Sequence, residues 1–448
     1  MYIATGSRLS TTAVDSLRDA SGCGLRPVLL VNSSEGMQAA ARHFGRISFH
    51  IACPVAGTAS LISPPQIPAT PPHGQAACKS RMPIPLLKEI MDHAGCPKYL
   101  RTAIRSLNES YLTGTITDDS EHEALSRFAS VIFRSMGFDK GSIPKVLRKL
   151  EKAGYGGRRD HFFHSFQNFF FGLLAVLFLP HRFDLCQTIA KLHFDVDRYH
   201  VWFVTALWHD AGYGIAHFDD LAEDVFGGGV SDTAEHGRAE FLGSGIVQEA
   251  LLVISSLMVR LMAPTRARTQ WLPPQTGHRR SSDHKKIALA IQDSVLQQNH
   301  GAASALRLYA EFMPMIRRKS SEKQLFLKQI LYLSCGSAPF HDWAFRDCVR
   351  QRCGACRIPT EAMPYASLLA FVDSIQDDRR DPMGVYEEMS FLRRLSVSAP
   401  AVVSAEVDTA ALQPEAILPK LVEARDVLAS LEQSPDTLFF QYPHWMIA

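Results

Sequence analysis

Imidazole and carboxylate side chains set next to each other can share a metal ion, and the chain carries two His-Asp dipeptides among its 18 histidines, His209-Asp210 and His341-Asp342. About one is expected by chance where aspartate is roughly one residue in twenty, so the dipeptide alone says little. Context separates the two. His209 and Asp210 close the apolar run VWFVTALW and are followed at once by AGYG, so their helix ends where they stand. Neighbours inside a helix project about 100° apart, whereas at a helix end both side chains can converge on one ion and a carboxylate can bridge two. His341 follows SAPF and is a candidate ligand, with Asp342 read as an incidental neighbour.

Further candidates lie in apolar surroundings. The segment RDHFFHSFQNFFFGLLAVLF is apolar almost all round, yet His161, His164, Ser165 and Asn168 fall on one polar stripe at helical spacing. A hydrogen-bonded core network is the plain alternative for any single buried histidine. His300 begins an amphipathic segment in NHGAASALRLYAEF. Asp373 sits beside a stripe of Leu368, Phe371, Val372 and Ile375, with Gln376 and Asp377 one turn on, and so buried a carboxylate needs a charge partner or a metal. His236, in DTAEHGRAEF, competes with His300, and His161 competes with His164. His217 and His284 read as surface or loop residues.

The ordered set His164, His209-Asp210, His300, His341 and Asp373 resembles the HD superfamily of metal-dependent phosphohydrolases, as do the phrases DHFFHS, ALWHDAGYG, NHGAASAL and LLAFVDSIQDDRR. The resemblance covers Arg158 to Arg380. It implies that His164, His209, Asp210 and Asp373 bind one ion and that, in a two-metal arrangement, Asp210 bridges to a second completed by His300 and His341. His209 and Asp210 are then the catalytic centre. Imidazole and carboxylate ligands suit Mn, Fe, Co, Ni or Zn, and two such divalent transition metal ions would activate a water to hydroxide that attacks a phosphoester, with no protein nucleophile. A nucleotide or related small phosphorylated molecule is the implied substrate. Arg158, Arg159, Arg379 and Arg380, flanking the ligand helices, are candidates to hold its phosphate, though arginines at helix ends are also ordinary solvated caps. GYGG at Gly154 to Gly157 lacks the Lys and Ser or Thr of a phosphate loop. Two other functions stay open: a mixed-valent diiron oxygenase, which the same ligand order serves in one branch of the superfamily, and a non-catalytic HD-fold module for regulation or partner binding.

The elements that must position these residues are helices. Amphipathic stretches begin at Leu86 to His93, Tyr99 to Leu107 and His122 to Phe138, and the pattern stays helical to Gln376. Ala263 to Ser282, rich in Pro, Gly and Arg, reads as an exposed loop or insertion. Before the helices, Pro27 to Ile51 suggests a strand, a short helix and a strand, and Cys53 to Arg81 a Pro-rich linker. After Arg380, LSVSAPAVVSAEVD has strand alternation, Pro414 to Leu431 reads as a helix and Thr437 to Tyr442 as strand-like. The expected fold is therefore mainly α, an HD-type helical bundle core at 81–385, with a poorly ordered N-terminal region at 1–80 and a small α+β C-terminal extension at 386–448.

Composition narrows the partners. A net charge of +2 with 21% charged residues gives no electrostatic case for nucleic acid. Nine scattered cysteines fit a reducing cytoplasm better than a secreted disulfide scaffold, and Cys353 and Cys356, with Cys348, are a weak candidate for structural zinc. MYIATGSRLS lacks the pattern of a secretory signal. The most membrane-like segment, Phe162 to Pro180, has too short an apolar run to span a bilayer and reads as a buried helix, so no membrane insertion is expected. Self-association into a homo-oligomer stays open.

Overall fold

Apolar residues at helical spacing build the core of the computed structural model, which describes residues 2–5, 28–31, 46–52, 84–113, 118–153, 161–178, 183–216, 231–262, 271–274, 282–353, 363–375, 392–399 and 402–408. These are mainly helical. In chain order the helices are α1 (Ile84–Asp92), α2 (Lys98–Thr113), α3 (Asp118–Ser135), α4 (Ile143–Ala153), α5 (His161–Phe178), α6 (Leu185–Leu192) and α7 (Arg198–Trp208). A single helical turn, Tyr213–Ala216, precedes α8 (Ser231–Gly243), α9 (Gly245–Met262), α10 (Ser282–Leu296), α11 (His300–Ile316) and α12 (Ser321–Ser337). A 3-10 turn, Ala338–His341, leads to α13 (Trp343–Cys353), and α14 is Pro364–Ile375. In α3, for example, Leu125, Phe128, Ala129, Ile132 and Phe133 form the buried stripe that the 3.6-residue period requires.

Helices α5 and α7 form the centre. Every side chain from His161 to Leu177 and from Tyr199 to Trp208 is buried, so neither has a solvent face, and both are sheathed by the others. Their close approach depends on Gly172, where a Cβ would overlap the indole of Trp202. That indole donates from Nε1 to Phe169 O at 3.0 Å, so its one polar atom is satisfied inside an apolar layer of Phe128, Phe169 and Phe203. Helix α7 starts at Asp197, whose carboxylate accepts from Tyr199 N at 2.7 Å. On its other side, Ser334 of α12 donates to Val201 O at 3.2 Å.

Two expectations need amending. Among the described residues, the helix with the length and composition to cross a membrane is α9, which the sequence reading did not single out. Val247, Leu251, Ile254, Leu257, Met258 and Leu261 of α9 are all packed into the core, as befits an inner helix of a helical bundle. The stretch Ala263 to Ser282 is not exposed throughout: Trp271 is 7% exposed, packs edge-on against Phe194 and Tyr332, and donates its backbone N–H to Leu192 O at 3.2 Å. An indole that can be buried pins a loop that Pro and Arg otherwise mark as solvent-facing.

Strands β1 (Tyr2–Thr5), β2 (Val28–Val31), β3 (Arg46–Ala52), β4 (Leu392–Ala399) and β5 (Val402–Asp408) pair in the order β1-β2-β3-β5-β4. β1, β2 and β3 run parallel, while β5 is antiparallel to both β3 and β4. The expected linker at Cys53 to Arg81 and the C-terminal segments Pro414 to Leu431 and Thr437 to Tyr442 lie outside the described residues.

Candidate metal centre

The polar stripe of α5 meets the end of α7. His209 is the C-terminal cap of α7, still in right-handed helical geometry (φ −60, ψ −33), and Asp210 opens the turn that follows. That turn lies directly on α11: a Cβ on Gly212 would overlap Ser304 N and His300 O, Gly212 N donates to Ser304 Oγ at 2.7 Å, and Arg307 donates to Ala211 O at 2.7 Å. Only glycine permits this approach. It brings the first residue of α11, His300, against Asp210, and Asn299 holds the helix start by accepting from Ala302 N at 3.1 Å.

Two groups of donors share Asp210. In the first, His164 Nε2 lies 3.0 Å from Asp210 Oδ2, 3.0 Å from Asp373 Oδ1 and 3.0 Å from His209 Nε2. His209 Nε2 is in turn 3.3 Å from Asp210 Oδ1 and 3.5 Å from Asp373 Oδ1. In the second, His300 Nε2 and His341 Nε2 stand 3.0 Å apart and lie 3.3 and 3.5 Å from Asp210 Oδ1. Donor atoms around one ion at bonds of about 2.1 Å are separated by roughly 3.0 Å in an octahedron and 3.4 Å in a tetrahedron. The spacing fits a metal.

Tautomers support the same conclusion. His209 Nδ1 lies 2.7 Å from Ala206 O and His341 Nδ1 lies 2.6 Å from Ala338 O; a carbonyl only accepts, so each ring carries its proton on Nδ1. In the neutral ring Nε2 is then a bare lone pair aimed at the cluster, the form in which imidazole binds metal. Several lone pairs and carboxylate oxygens facing each other in a buried space require a shared cation, a proton or a metal. Without a metal His209 and His300 take protons. Burial works against charge on His209, but Asp210 and Asp373 outweigh it and push the ring up to about 10. Burial likewise opposes charge on His300, and Asp342 and Asp210 raise it to about 9. The carboxyls of Asp210 and Asp373, despite the same burial, are held well below the usual range by the surrounding histidines.

His161 belongs to the cluster as well as His164. Its Nδ1 reaches Asp210 Oδ2 at 3.3 Å, but only His164 also meets His209 and Asp373. His300 is brought to Asp210, and its rival His236 is on α8 with a side chain outside the described ones. Asp342 is not an incidental neighbour. The chain turns extended at Asp342 (φ −81, ψ 123), aiming its carboxylate back at His300 Nδ1, 3.0 Å away, while Ala344 N donates to its other oxygen at 3.0 Å. A carboxylate behind a ligand histidine fixes the ring's orientation. The second His-Asp pair is the signal for it in the sequence, but a spacing says nothing about which way a cap points. Tyr213 was also missed: its ring stacks on His300 at 4.1 Å between centroids and leans over His161 at 4.6 Å.

Exposure gives the site a mouth. The side chains of His164, His209, Asp210 and His341 are at most 3% exposed, whereas those of His300 and Asp373 are 18% and 26% exposed. Arg158, Arg159 and Arg380 lie outside the described residues, as do Arg379, Gln376, Asp377, His217 and Cys356. Cys348 lies 3.3 Å from Gln297 Oε1, an ordinary donor to a side-chain carbonyl. The ligand atoms of His164, His209 and Asp210, of His209, His341 and Asp373, and of Asp210, His300 and His341 each form a group that can hold a metal ion. Compared with family models, with curated proteins and with solved structures, the chain matches none.

Proposed function

We propose that the chain is an HD-type metal-dependent phosphohydrolase acting on a phosphoester of a nucleotide or a related small molecule. The observation that carries this is the convergence of five ligand side chains, from α5, the end of α7, the start of α11, the 3-10 turn and α14, on the carboxylate of Asp210 or on the pair beside it. A pair of divalent transition metal ions, when bound, supplies Lewis acidity that lowers the pKa of a water and neutralises charge on a phosphoryl oxygen.

The residues of the chain do the rest. Asp210 offers Oδ2 towards His164 and Oδ1 towards His300 and His341, which suits a shared ligand. Ala206 O, Ala338 O and Asp342 hold three histidines in ligand orientation. Buried His209 and Asp210 keep solvent away from the inner face, so a substrate approaches past His300 and Asp373, with the ring of Tyr213 as one wall. The reaction needs no nucleophile from the protein.

The test joins metal analysis of the purified protein to a panel of nucleotides and phosphodiesters, with His209→Ala and Asp210→Ala as controls. We expect bound transition metal and hydrolysis, both lost in the two variants. Hydrolysis that survives both substitutions would sink the site. Bound iron with oxygen uptake and no phosphatase activity would replace hydrolysis by the oxygenase alternative.

A further inference from the structure

Asn168 lies one helical turn after His164 on the buried stripe of α5 and is fully buried. Its Nδ2 is 3.3 Å from His164 Nε2, 3.2 Å from His209 Nε2 and 3.1 Å from Asp373 Oδ1. Those three atoms are themselves 3.0, 3.0 and 3.5 Å apart. Six edges of so similar a length outline a nearly regular tetrahedron, whose centre lies about 2 Å from every corner, the length of a Zn–N or Zn–O bond. The end of the Asn168 carboxamide therefore stands where a fourth ligand would stand.

The amide is lopsided in its partners. Nδ2 faces His164 Nε2, His209 Nε2 and Asp373 Oδ1, while Oδ1 is buried and without a hydrogen-bond partner. A turn of the carboxamide about its Cβ–Cγ bond exchanges the two atoms without changing its shape. With a cation at the centre, the lone pairs of His164, His209 and Asp373 are committed inward, and an NH2 at the fourth corner would aim hydrogens at a positive charge. The turned amide presents its carbonyl oxygen instead, a recognised ligand type for hard and borderline cations.

We propose that Asn168, through Oδ1, is a direct ligand of the ion held by His164, His209 and Asp373. This rests on the metal-centre reading above. It makes α5 a chelating helix that supplies two ligands four residues apart, while Asp210 stays beside that ion, with Oδ2 3.0 Å from His164 Nε2, and keeps its Oδ1 towards His300 and His341. A neutral fourth ligand also limits the negative charge gathered in the core.

The rival role is a hydrogen-bond donor that merely steadies Asp373, and the two roles differ in what Asp or Leu does at this position. Asn168→Asp keeps the oxygen but cannot donate when ionised, and it faces Asp373 with like charge; Asn168→Leu keeps the shape and removes both polar atoms. The experiment titrates the metal-free full chain and both variants with Co2+, reading affinity by calorimetry and coordination by the visible d–d absorption, with circular dichroism as the fold check. A ligand role predicts that Asn168→Asp binds Co2+ at least as tightly as the wild type with a similar spectrum, and that Asn168→Leu binds at least about tenfold more weakly with an altered spectrum. Weaker binding by Asn168→Asp, or an unchanged affinity and spectrum in Asn168→Leu, overturns the assignment while leaving the centre intact. If Asn168→Leu does not fold, the sign of the Asn168→Asp effect decides alone. A wild-type chain that takes up no Co2+ overturns the metal centre itself, and the Asn168 assignment with it.

Discussion

At the scale of single residues, the carboxylate behind His300 governs the second half of the site. Asp342 sits 3.0 Å from His300 Nδ1, and a negative charge there both orients the ring and raises the basicity of the opposite nitrogen. Asp342→Asn keeps the shape and removes the charge. The expected outcome is a loss of roughly ten- to a hundredfold in affinity for the second metal equivalent with little change in the first, read by calorimetric titration. Equal loss at both equivalents would mean that Asp342 serves the fold and not His300.

The same residues set a pH dependence for the metal-free chain. His209 and His300 titrate near 10 and 9 in the folded protein, above the ordinary histidine value of about 6.5. A raised folded pKa means that the native state binds the proton more tightly than the unfolded chain. Its stabilisation is complete below about pH 6.5 and is lost as pH rises through the folded values. The depressed Asp210 and Asp373 contribute the opposite edge, with stability present above the usual carboxylate range and lost as pH falls from there through their lowered folded values. Chelator-treated protein should therefore show a melting temperature that falls between about pH 7 and pH 10. A melting temperature that stays flat or rises over that window would contradict the proton-sharing arrangement.

At the scale of elements, the glycines that let backbones touch are as necessary as the ligands. Gly212 has no room for a methyl group against Ser304 N and His300 O, both backbone atoms of α11 that cannot yield as a flexible side chain could. Gly212→Ala should push α11 away from the His209-Asp210 turn, costing about 1–3 kcal/mol in stability and weakening the His300 and His341 half of the site first. Denaturant melts and metal stoichiometry check this, and a variant with wild-type stability and two bound equivalents would refute it. Much of this level was legible in the sequence. The apolar runs of α5 and α7 announce buried helices, and AGYG announces the end of α7, because periodicity and turn residues are local signals. The docking of that turn on α11, the inward-turned Asp342 and the burial of Trp271 were not legible, because each depends on what a distant segment places opposite. The six candidate ligands were visible as residue types in order, whereas the part proposed for Asn168 depends on distances to side chains as far away in sequence as Asp373.

At the scale of the whole molecule, the centre ties together segments that are far apart in the chain. His164 comes from α5, His209 and Asp210 from the end of α7, His300 from α11, His341 from the 3-10 turn and Asp373 from α14, so an ion held by them closes loops that span most of the helical core. Such an ion binds the folded chain and finds no assembled site in the unfolded one, so it stabilises by mass action: about 2.7 kcal/mol at a free metal concentration one hundred times its dissociation constant. For a core of this size each kcal/mol moves the melting temperature by roughly 2–4 °C, which gives a rise of about 5–10 °C on loading. The rise should be reversed by chelation and should grow with metal concentration. Because α5 and α7 are buried on all sides and packed through Gly172 and Trp202, the ligands on them cannot be lost by fraying of an outer helix, and the transition should remain one cooperative step. His209→Ala should remove the metal-dependent rise while leaving the chelated protein folded, since among its backbone contacts it removes one side-chain hydrogen bond, to Ala206 O in the last turn of α7. A shift of equal size in His209→Ala, or separate transitions for the two halves of the core, would show that the metal acts somewhere other than at this junction.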